Sequence, residues 1–223
     1  MKERTCHSGG ISQIGGPRQE PVASLFRCPE CGGELKRTSS DGPLACISCG
    51  ARWPVLEGTP CFVPPASLPD YQLAAGMTEL VATARAHGWR RALEQHVAKR
   101  ASHPEYAREY VGSEARGDFR FMMSVDRSST VLDIGSGWGN ISIAFARTAE
   151  RVYALDTTLS NLQFVDVRAQ QEGLDNVIAV VGDAAKLPLP PGSCDIVLMV
   201  GVLEWVPWGR DDDTPGNLQR RAL

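Results

Sequence analysis

The chain has 223 residues, of which 43% are apolar and 22% charged, and this ordinary composition excludes disorder as the default state. A net charge of -3 excludes a protein that binds nucleic acid along its whole length. No apolar run approaches the roughly 20 residues that span a bilayer, so no contact with a membrane is expected.

The first 24 residues are rich in Gly, Ser and Gln and lack the apolar core of a signal peptide. We therefore predict a disordered leader over residues 1–24 and a cytoplasmic protein. In that reducing compartment, the seven cysteines are expected to be metal ligands or buried thiols, not disulfides.

Four of the cysteines form two Cys-x-x-Cys-Gly knuckles, separated by fourteen residues that read as a hairpin. The predicted metal ligands are Cys28, Cys31, Cys46 and Cys49. Four thiolates at this spacing suit tetrahedral zinc, and such a closed site has a structural role. The alternative is a set of redox-active thiols, which the absence of a surrounding βαβ pattern disfavours. The remaining cysteines fall outside the spacing and are not predicted to be ligands.

The second knuckle is followed by Trp-Pro-Val-Leu-Glu-Gly-Thr-Pro at residues 53–60. With both knuckles, this run resembles the small zinc-ribbon proteins that act as methyltransferase activators, and the ribbons at the amino end of some methyltransferases. The resemblance implies a zinc-ribbon domain over residues 25–64. It departs from the pattern at Thr59, where an aliphatic residue is usual, and at Cys61.

A cluster of prolines between residues 60 and 69 predicts a domain boundary at 64–69. The segment 65–127 is then a linker followed by helices. Apolar residues at helical spacing predict helix from Asp70 to about Gly112, interrupted at Pro104, and a last helix over 114–125.

Residues 130–134 predict a buried strand. A Gly-x-Gly-x-Gly turn that ends at Gly139 and a predicted helix follow it. Glycines allow a tight turn and leave room for a ligand against the backbone. This order suits either a nicotinamide or flavin site or a SAM (S-adenosylmethionine) site. However, the third small residue of the dinucleotide pattern would fall at Asn140, whereas here the third glycine is Gly139. With Asp133 two residues before the first glycine, the turn resembles motif I of class I SAM-dependent methyltransferases.

Three further strands are predicted after the turn, over residues 151–155, 177–181 and 194–200. The first leads to Asp156, which can accept hydrogen bonds from the ribose hydroxyls of an adenosine ligand. A helix from Leu159 to Gln171 follows. The turn Gly182-Asp183-Ala184 and the run 194–206 resemble motifs III and IV of the same class.

The resemblance covers residues 130–206 and implies an α/β fold with a Rossmann-like parallel sheet. About four strands, with helices on both faces, would form the amino-terminal half of that sheet. The cofactor-binding residues implied by the motifs are Asp133, Gly135, Ser136, Gly137, Gly139, Asp156, Thr157, Asp183, Ala184 and Val200. Asp133 has a second interpretation, in which it only orders the glycine turn through hydrogen bonds.

The region of motif IV carries the candidate catalytic residues. It lacks the Asn/Asp-Pro-Pro-aromatic element of amino-methylating enzymes and the Pro-Cys nucleophile of cytosine C5 enzymes. Glu204 could act as a general base, and Trp205 could stack on an acceptor or shield the sulfonium. Packing at the start of a helix explains both residues equally well.

Only four of the seven strands of the class are found, so residues 128–223 are expected to be a methyltransferase domain truncated at its carboxyl end. A sheet cut after its fourth strand exposes an apolar edge, which suggests a fragment or a chain completed by a partner or a missing carboxyl-terminal segment. The expected activity is methyl transfer from SAM to a small-molecule or glycan-linked acceptor. The alternatives are an rRNA or tRNA methyltransferase and a non-catalytic binding or scaffold protein.

Overall fold

Five short strands form the part of the structure nearest the amino terminus. The structure is a computed structural model, which describes residues 22–39, 42–63 and 76–203. A 3-10 helix over Val22–Leu25 precedes a three-stranded antiparallel sheet and a two-stranded one. Their strands are β1 (Leu35–Arg37), β2 (Leu44–Cys46), β3 (Arg52–Trp53), β4 (Val55–Leu56) and β5 (Thr59–Pro60). We call residues 22–63 the ribbon.

The hairpin predicted between the knuckles is present as the antiparallel pair β1 and β2. The predicted leader, in contrast, extends too far. Residues 22–24 belong to the 3-10 helix, and Ala23 packs against the apolar core of the ribbon. The last three residues of the predicted leader are therefore structured. Residues 1–21, the predicted boundary at 64–69 and the first part of the predicted helix, residues 70–75, lie outside the described residues.

The middle of the chain is helical, as predicted, but it forms several short elements. They are α1 (Met77–His87), α2 (Trp89–Arg100), α3 (Pro104–Gly112) and a 3-10 helix over Glu114–Met122. Gly88, with φ of +93°, separates α1 from α2, because an interior helical residue cannot adopt that angle. None of the helices that the structure describes is long and apolar enough to cross a bilayer.

The second sheet has four parallel strands in the order β8-β7-β6-β9. The strands are β6 (Thr130–Ile134), β7 (Arg151–Asp156), β8 (Val177–Val181) and β9 (Ile196–Met199). Two helices connect them, α4 (Asn140–Ala146) and α5 (Leu159–Gln171). The predicted parallel α/β sheet is therefore confirmed.

The covering of this sheet differs from the predicted helices on both faces. In the described part, α4 and α5 both pack on one face, which carries Val131, Val152, Ala154 and Ala179. The ribbon covers the other face, where one apolar cluster contains Leu132, Tyr153 and Leu155 together with Phe26, Trp53 and Phe62. The ribbon thus buries the apolar face that we expected a second set of helices to bury.

Backbone hydrogen bonds also join the ribbon to the sheet. Residues Cys61 and Val181 form a parallel bridge at the edge of β8, and the N–H of Phe62 donates to the Val181 carbonyl at 2.8 Å. The ring centroids of Phe26 and Tyr153 lie 6.0 Å apart in an edge-on arrangement. The ribbon and the sheet therefore share one core.

The helices α1 and α2 form a further layer over α5. Met77, Leu80 and Trp89 contact Phe164 and Val167 in a buried cluster. At the opposite end of the sheet, β9 is the last described strand, and Val197 on it is 58% exposed.

Candidate functional site: cofactor site and metal centre

The predicted cofactor-binding residues lie at the carboxyl edge of the parallel sheet. The glycine turn follows β6, Asp156 ends β7, and Asp183 and Ala184 come after β8. Val200 follows β9 directly. Ligands bind at this edge of open α/β sheets, so motifs separated along the chain converge where a cofactor can lie.

The three glycines of the turn are required for different reasons. All three have left-handed φ angles, of +70°, +53° and +83° for Gly135, Gly137 and Gly139. A Cβ on Gly135 would clash with Val202 Cγ2, and one on Gly139 would meet Val165 Cγ2 at 2.9 Å. A Cβ on Gly137 would meet no atom within 4 Å. The outer glycines therefore permit close packing of the protein on itself, whereas the middle one borders open space.

Asp156 connects the turn to the neighbouring strand. Its Oδ2 accepts a hydrogen bond from the N–H of Gly137 at 2.9 Å, and its Oδ1 accepts one from the N–H of Thr158 at 2.8 Å. Thr157, the residue between Asp156 and Thr158, is partly buried. Burial raises the pKa of Asp156, and these hydrogen bonds oppose the rise. A carboxylate held in this way retains lone pairs for a further donor.

Ser136 supplies a buried polar atom without a partner. Its Oγ makes no hydrogen bond, although the residue is only 9% exposed. An unsatisfied buried hydroxyl is costly, and such groups are rare unless a water, ion or ligand completes them. With the open space at Gly137, it indicates that this turn is shaped for a ligand with polar groups.

Asp133 makes its side-chain contacts with α4. Its Oδ2 accepts a hydrogen bond from Ser142 Oγ at 2.6 Å, and the residue is 2% exposed. Burial raises the pKa of this carboxyl to about 7. This hydrogen bond connects β6 to α4, the helix that follows the glycine turn.

Replacing Asp133 with asparagine is expected to remove a pH dependence of stability. Because the folded-state pKa is raised, the native chain keeps a proton that the unfolded chain releases, so stability falls as pH rises from about 4 to about 7. The difference in free energy of unfolding between wild type and Asp133→Asn should change by about 1 kcal/mol between pH 6 and pH 8, in urea titrations at saturating zinc. The exposed Asp175→Asn is the control, and parallel pH profiles for all three chains would contradict the assignment.

The loop after β8 has a turn of its own. Asp183 Oδ1 accepts a hydrogen bond from the N–H of Ala185 at 2.8 Å, and the Asp183 carbonyl accepts one from the N–H of Lys186 at 3.1 Å. Ala184 packs against the apolar cluster shared by the ribbon and the sheet. Ala184, one of the predicted cofactor-binding residues, therefore borders the core that the ribbon and the sheet share.

The two candidate catalytic residues come after Val200 in the chain. Glu204 and Trp205 lie outside the described residues, and Val200, 40% exposed, is the last predicted site residue before them. Sequence reasoning also missed Val202, which fills the space beside Gly135. No local pattern marks that contact, since the two residues are distant in sequence.

Asn140 is a second residue that sequence reasoning missed. Its Nδ2 donates to the Tyr110 carbonyl at 2.5 Å, and its Oδ1 accepts a hydrogen bond from Arg168 Nη1 at 3.0 Å. Asn140 therefore ties the start of α4, next to Gly139, to α3 and α5. Its only signal in the sequence is an amide at the start of a helix after a glycine turn.

The four predicted metal ligands converge in the ribbon. The Sγ atoms of Cys28, Cys31, Cys46 and Cys49 all lie within 4.8 Å of one another. The Cys28–Cys49 and Cys31–Cys46 sulfur pairs are 3.7 Å and 3.5 Å apart. A tetrahedral ion with Zn–S bonds of about 2.3 Å separates its sulfurs by about 3.8 Å, so these residues fit zinc. Cys61 lies elsewhere, with its thiol directed to the Val63 carbonyl at 3.4 Å.

Comparison with known proteins agrees with the geometry of the sheet edge. Residues 131–220 match the family described as "Methyltransferase domain". The ribosomal RNA small subunit methyltransferase G of Synechococcus elongatus is 40% identical over 67 residues, which are 29% of this chain and 28% of that protein. The uncharacterized methyltransferase YcgJ of Bacillus subtilis is 36% identical over 67 residues, 30% of this chain and 26% of that protein.

A solved structure of the Bacillus protein is also similar to this chain. It is 31% identical and covers 36% of this chain and 35% of that one, with a TM-score of 0.35. The chain spans little more than a quarter of the length of the curated relatives it matches. The family match favours the methyltransferase interpretation of the glycine turn over the nicotinamide one. Residues 131–220 therefore match a methyltransferase domain, in agreement with the motifs found in the sequence.

Proposed function

We propose that this chain binds SAM at the carboxyl edge of its parallel sheet and transfers the methyl group to a small-molecule or glycan-linked acceptor. The observation that carries the proposal is the geometry of the polar cradle formed by the glycine turn and Asp156. There, open space at Gly137 lies beside the unpaired Oγ of Ser136 and the carboxylate of Asp156.

Different residues at the glycine turn and at the ends of β7 and β8 would contact different parts of SAM. Asp156 would accept hydrogen bonds from the ribose hydroxyls, and the glycine turn would hold the methionine part through Ser136 and backbone amides. Asp183 would accept from the adenine amino group, with Ala184 against the ring. Bound SAM supplies an electrophilic methyl group on a sulfonium. The protein then has to align the acceptor and exclude water.

The catalytic role of Glu204 and Trp205 stays a prediction from the sequence. A general base is needed only where the acceptor is protonated, and Glu204 would serve there. Trp205 would stack on the acceptor.

Zinc is proposed as a structural ion of the ribbon. The cysteine cluster supports it, since four sulfurs occupy all four positions of a tetrahedral ion and leave none open for chemistry. The cytoplasmic location predicted from the sequence agrees with cysteines kept as thiolate ligands.

The choice of a small acceptor rests on charge. Residues 25–64 carry four basic and four acidic side chains, so the ribbon has no net positive charge with which to hold a nucleic acid. An RNA acceptor is the second candidate, and the name of the 40% identical relative, a ribosomal RNA methyltransferase, favours it. The third candidate is a non-catalytic scaffold, in which the ribbon would bind a partner protein and the sheet would bind no cofactor.

Calorimetric titration with S-adenosylhomocysteine (SAH) tests the cofactor site. The wild-type chain should bind one equivalent, and Asp156→Ala should weaken binding at least tenfold, because the ribose hydroxyls lose their acceptor. Asp175→Ala, an exposed acid beyond the other edge of the sheet, should bind as wild type does. Absence of saturable binding by the wild type would refute the proposal and leave the scaffold.

The acceptor class is tested with SAM carrying a tritiated methyl group. The chain is incubated with a cell extract divided into total RNA and a fraction of low molecular mass. Label transferred to the small-molecule fraction supports the proposal. Label confined to RNA supports the second candidate.

A further inference from the structure

We propose that Glu30 and Lys186 are positioning residues that couple the metal-binding ribbon to the adenosine side of the SAM site. This inference rests on the proposed function, since it assigns a role to the loop that carries Asp183 and Ala184. It gives the ribbon a task in cofactor binding beyond the burial of apolar surface.

The loop from residue 182 to residue 189 contacts the ribbon at two points, one within the first knuckle and one just before it. Lys186 Nζ lies 3.2 Å from both carboxylate oxygens of Glu30, which stands between the ligands Cys28 and Cys31. Just before that knuckle, the N–H of Arg27 donates to the Pro188 carbonyl at 2.8 Å. One ion pair and one backbone hydrogen bond thus connect the loop to a single turn of the ribbon.

Packing supports the same connection. Ala184 and Leu189 contact the apolar cluster that includes Phe26 and Cys28. This loop contains no helix or strand, and its own hydrogen bonds close only the turn from Asp183 to Lys186. A loop with few internal hydrogen bonds takes its conformation from the surfaces on which it lies. The N–H of Gly182 donates to the Asp156 carbonyl at 3.0 Å, which attaches the start of the loop to β7, and the ribbon contacts Lys186 and Pro188 further along.

The knuckle is fixed in turn by its cysteines. When Cys28 and Cys31 hold a common ion, the backbone of Glu30 between them is constrained, and Glu30 constrains Lys186. Lys186 follows Asp183 by three residues and closes the turn on it. Metal binding by the ribbon would therefore influence the position of Asp183 through the contacts of Glu30 and Lys186.

The expected size of the effect follows from exposure. Both side chains of the ion pair are 50% exposed, and such pairs contribute little to global stability. Glu30→Ala and Lys186→Ala should therefore leave the melting temperature nearly unchanged. Each should nevertheless weaken SAH binding by about threefold, because the loop samples more conformations before it binds.

The experiment is a double-mutant cycle measured by SAH calorimetry on the full zinc-loaded chain. The double variant should bind no more weakly than either single variant, and the charge exchange Glu30→Lys with Lys186→Glu should restore most of the affinity. Hydrogen exchange at the amides of residues 183–187 and 189 should accelerate in both single variants. Glu34→Ala, an exposed acid of the same ribbon, is the matched control and should match wild type in both measurements.

The outcomes separate this inference from the proposed function. If wild type fails to bind SAH, the proposed function is wrong and the inference falls with it. If wild type binds SAH and both single variants bind as tightly as Glu34→Ala, only the inference is overturned. A lower melting temperature with unchanged SAH affinity would also overturn it, because that result describes a purely structural contact.

Discussion

Replacing Cys46 with serine is expected to destabilise the parallel sheet as well as the ribbon, lowering the free energy of unfolding by about 3 kcal/mol or more. The reason is the shared core. Phe26 and Phe62 of the ribbon pack on Tyr153 and Leu155 of the sheet, and all four are buried. Exposing one large apolar side chain costs about 1.5–3 kcal/mol, so a ribbon that loses its metal cannot detach without exposing the sheet.

The measurement is urea unfolding of zinc-loaded wild type and Cys46→Ser, followed by circular dichroism and by release of zinc to a colorimetric chelator. One cooperative transition, coincident with zinc release, is expected for wild type. Cys194→Ser changes a partly buried thiol that is not one of the four predicted metal ligands. It is the control, and its free energy of unfolding should be close to that of wild type. Two separate transitions, with the sheet surviving loss of zinc, would show that the ribbon is energetically independent.

Several elements could be predicted from the sequence because local patterns determine them. The strands Thr130–Ile134 and Val177–Val181 and the helix Leu159–Gln171 have the predicted bounds. Each is a continuous apolar or amphipathic run that ends near a glycine. The four cysteines could be predicted as a cluster for a similar reason, since two matched knuckles impose their own geometry.

The contacts between these elements could not be predicted. Glu30 and Lys186 are 156 residues apart, and neither belongs to a recognisable pairing motif. The ribbon's position on the sheet depends on which apolar face is left uncovered, and that depends on the order of all the strands and helices. The predicted helix over 114–125 became a 3-10 helix ending at Met122, and apolar spacing alone does not distinguish these two forms.

The other large effect is expected at Arg168, where replacement by alanine should lower the free energy of unfolding by about 3–5 kcal/mol. The side chain is 0% exposed, and burial lowers its pKa, although the guanidinium stays charged. Its Nη1 donates to Asn140 Oδ1 at 3.0 Å, and its Nε donates to Glu172 Oε1 at 3.4 Å. Removing it leaves those acceptors without this partner and opens a cavity beneath Trp89, whose ring lies 4.3 Å from the guanidinium carbon.

Arg90 provides a matched control, because its guanidinium carbon also lies 4.3 Å from the Trp89 ring and its Nη2 lies 3.8 Å from Glu172. The side chain is 71% exposed, so Arg90→Ala should cost less than about 1 kcal/mol. Urea titrations give both free energies of unfolding, and Arg168→Met separates the loss of volume from the loss of hydrogen bonds.

Since Asn140 begins the helix after the glycine turn, Arg168→Ala should also weaken SAH binding at temperatures where the variant is folded. Equal destabilisation by Arg168→Ala and Arg90→Ala would contradict the predicted difference in stability, because the buried hydrogen bonds of Arg168 would then contribute nothing beyond the contact with Trp89 that both arginines make.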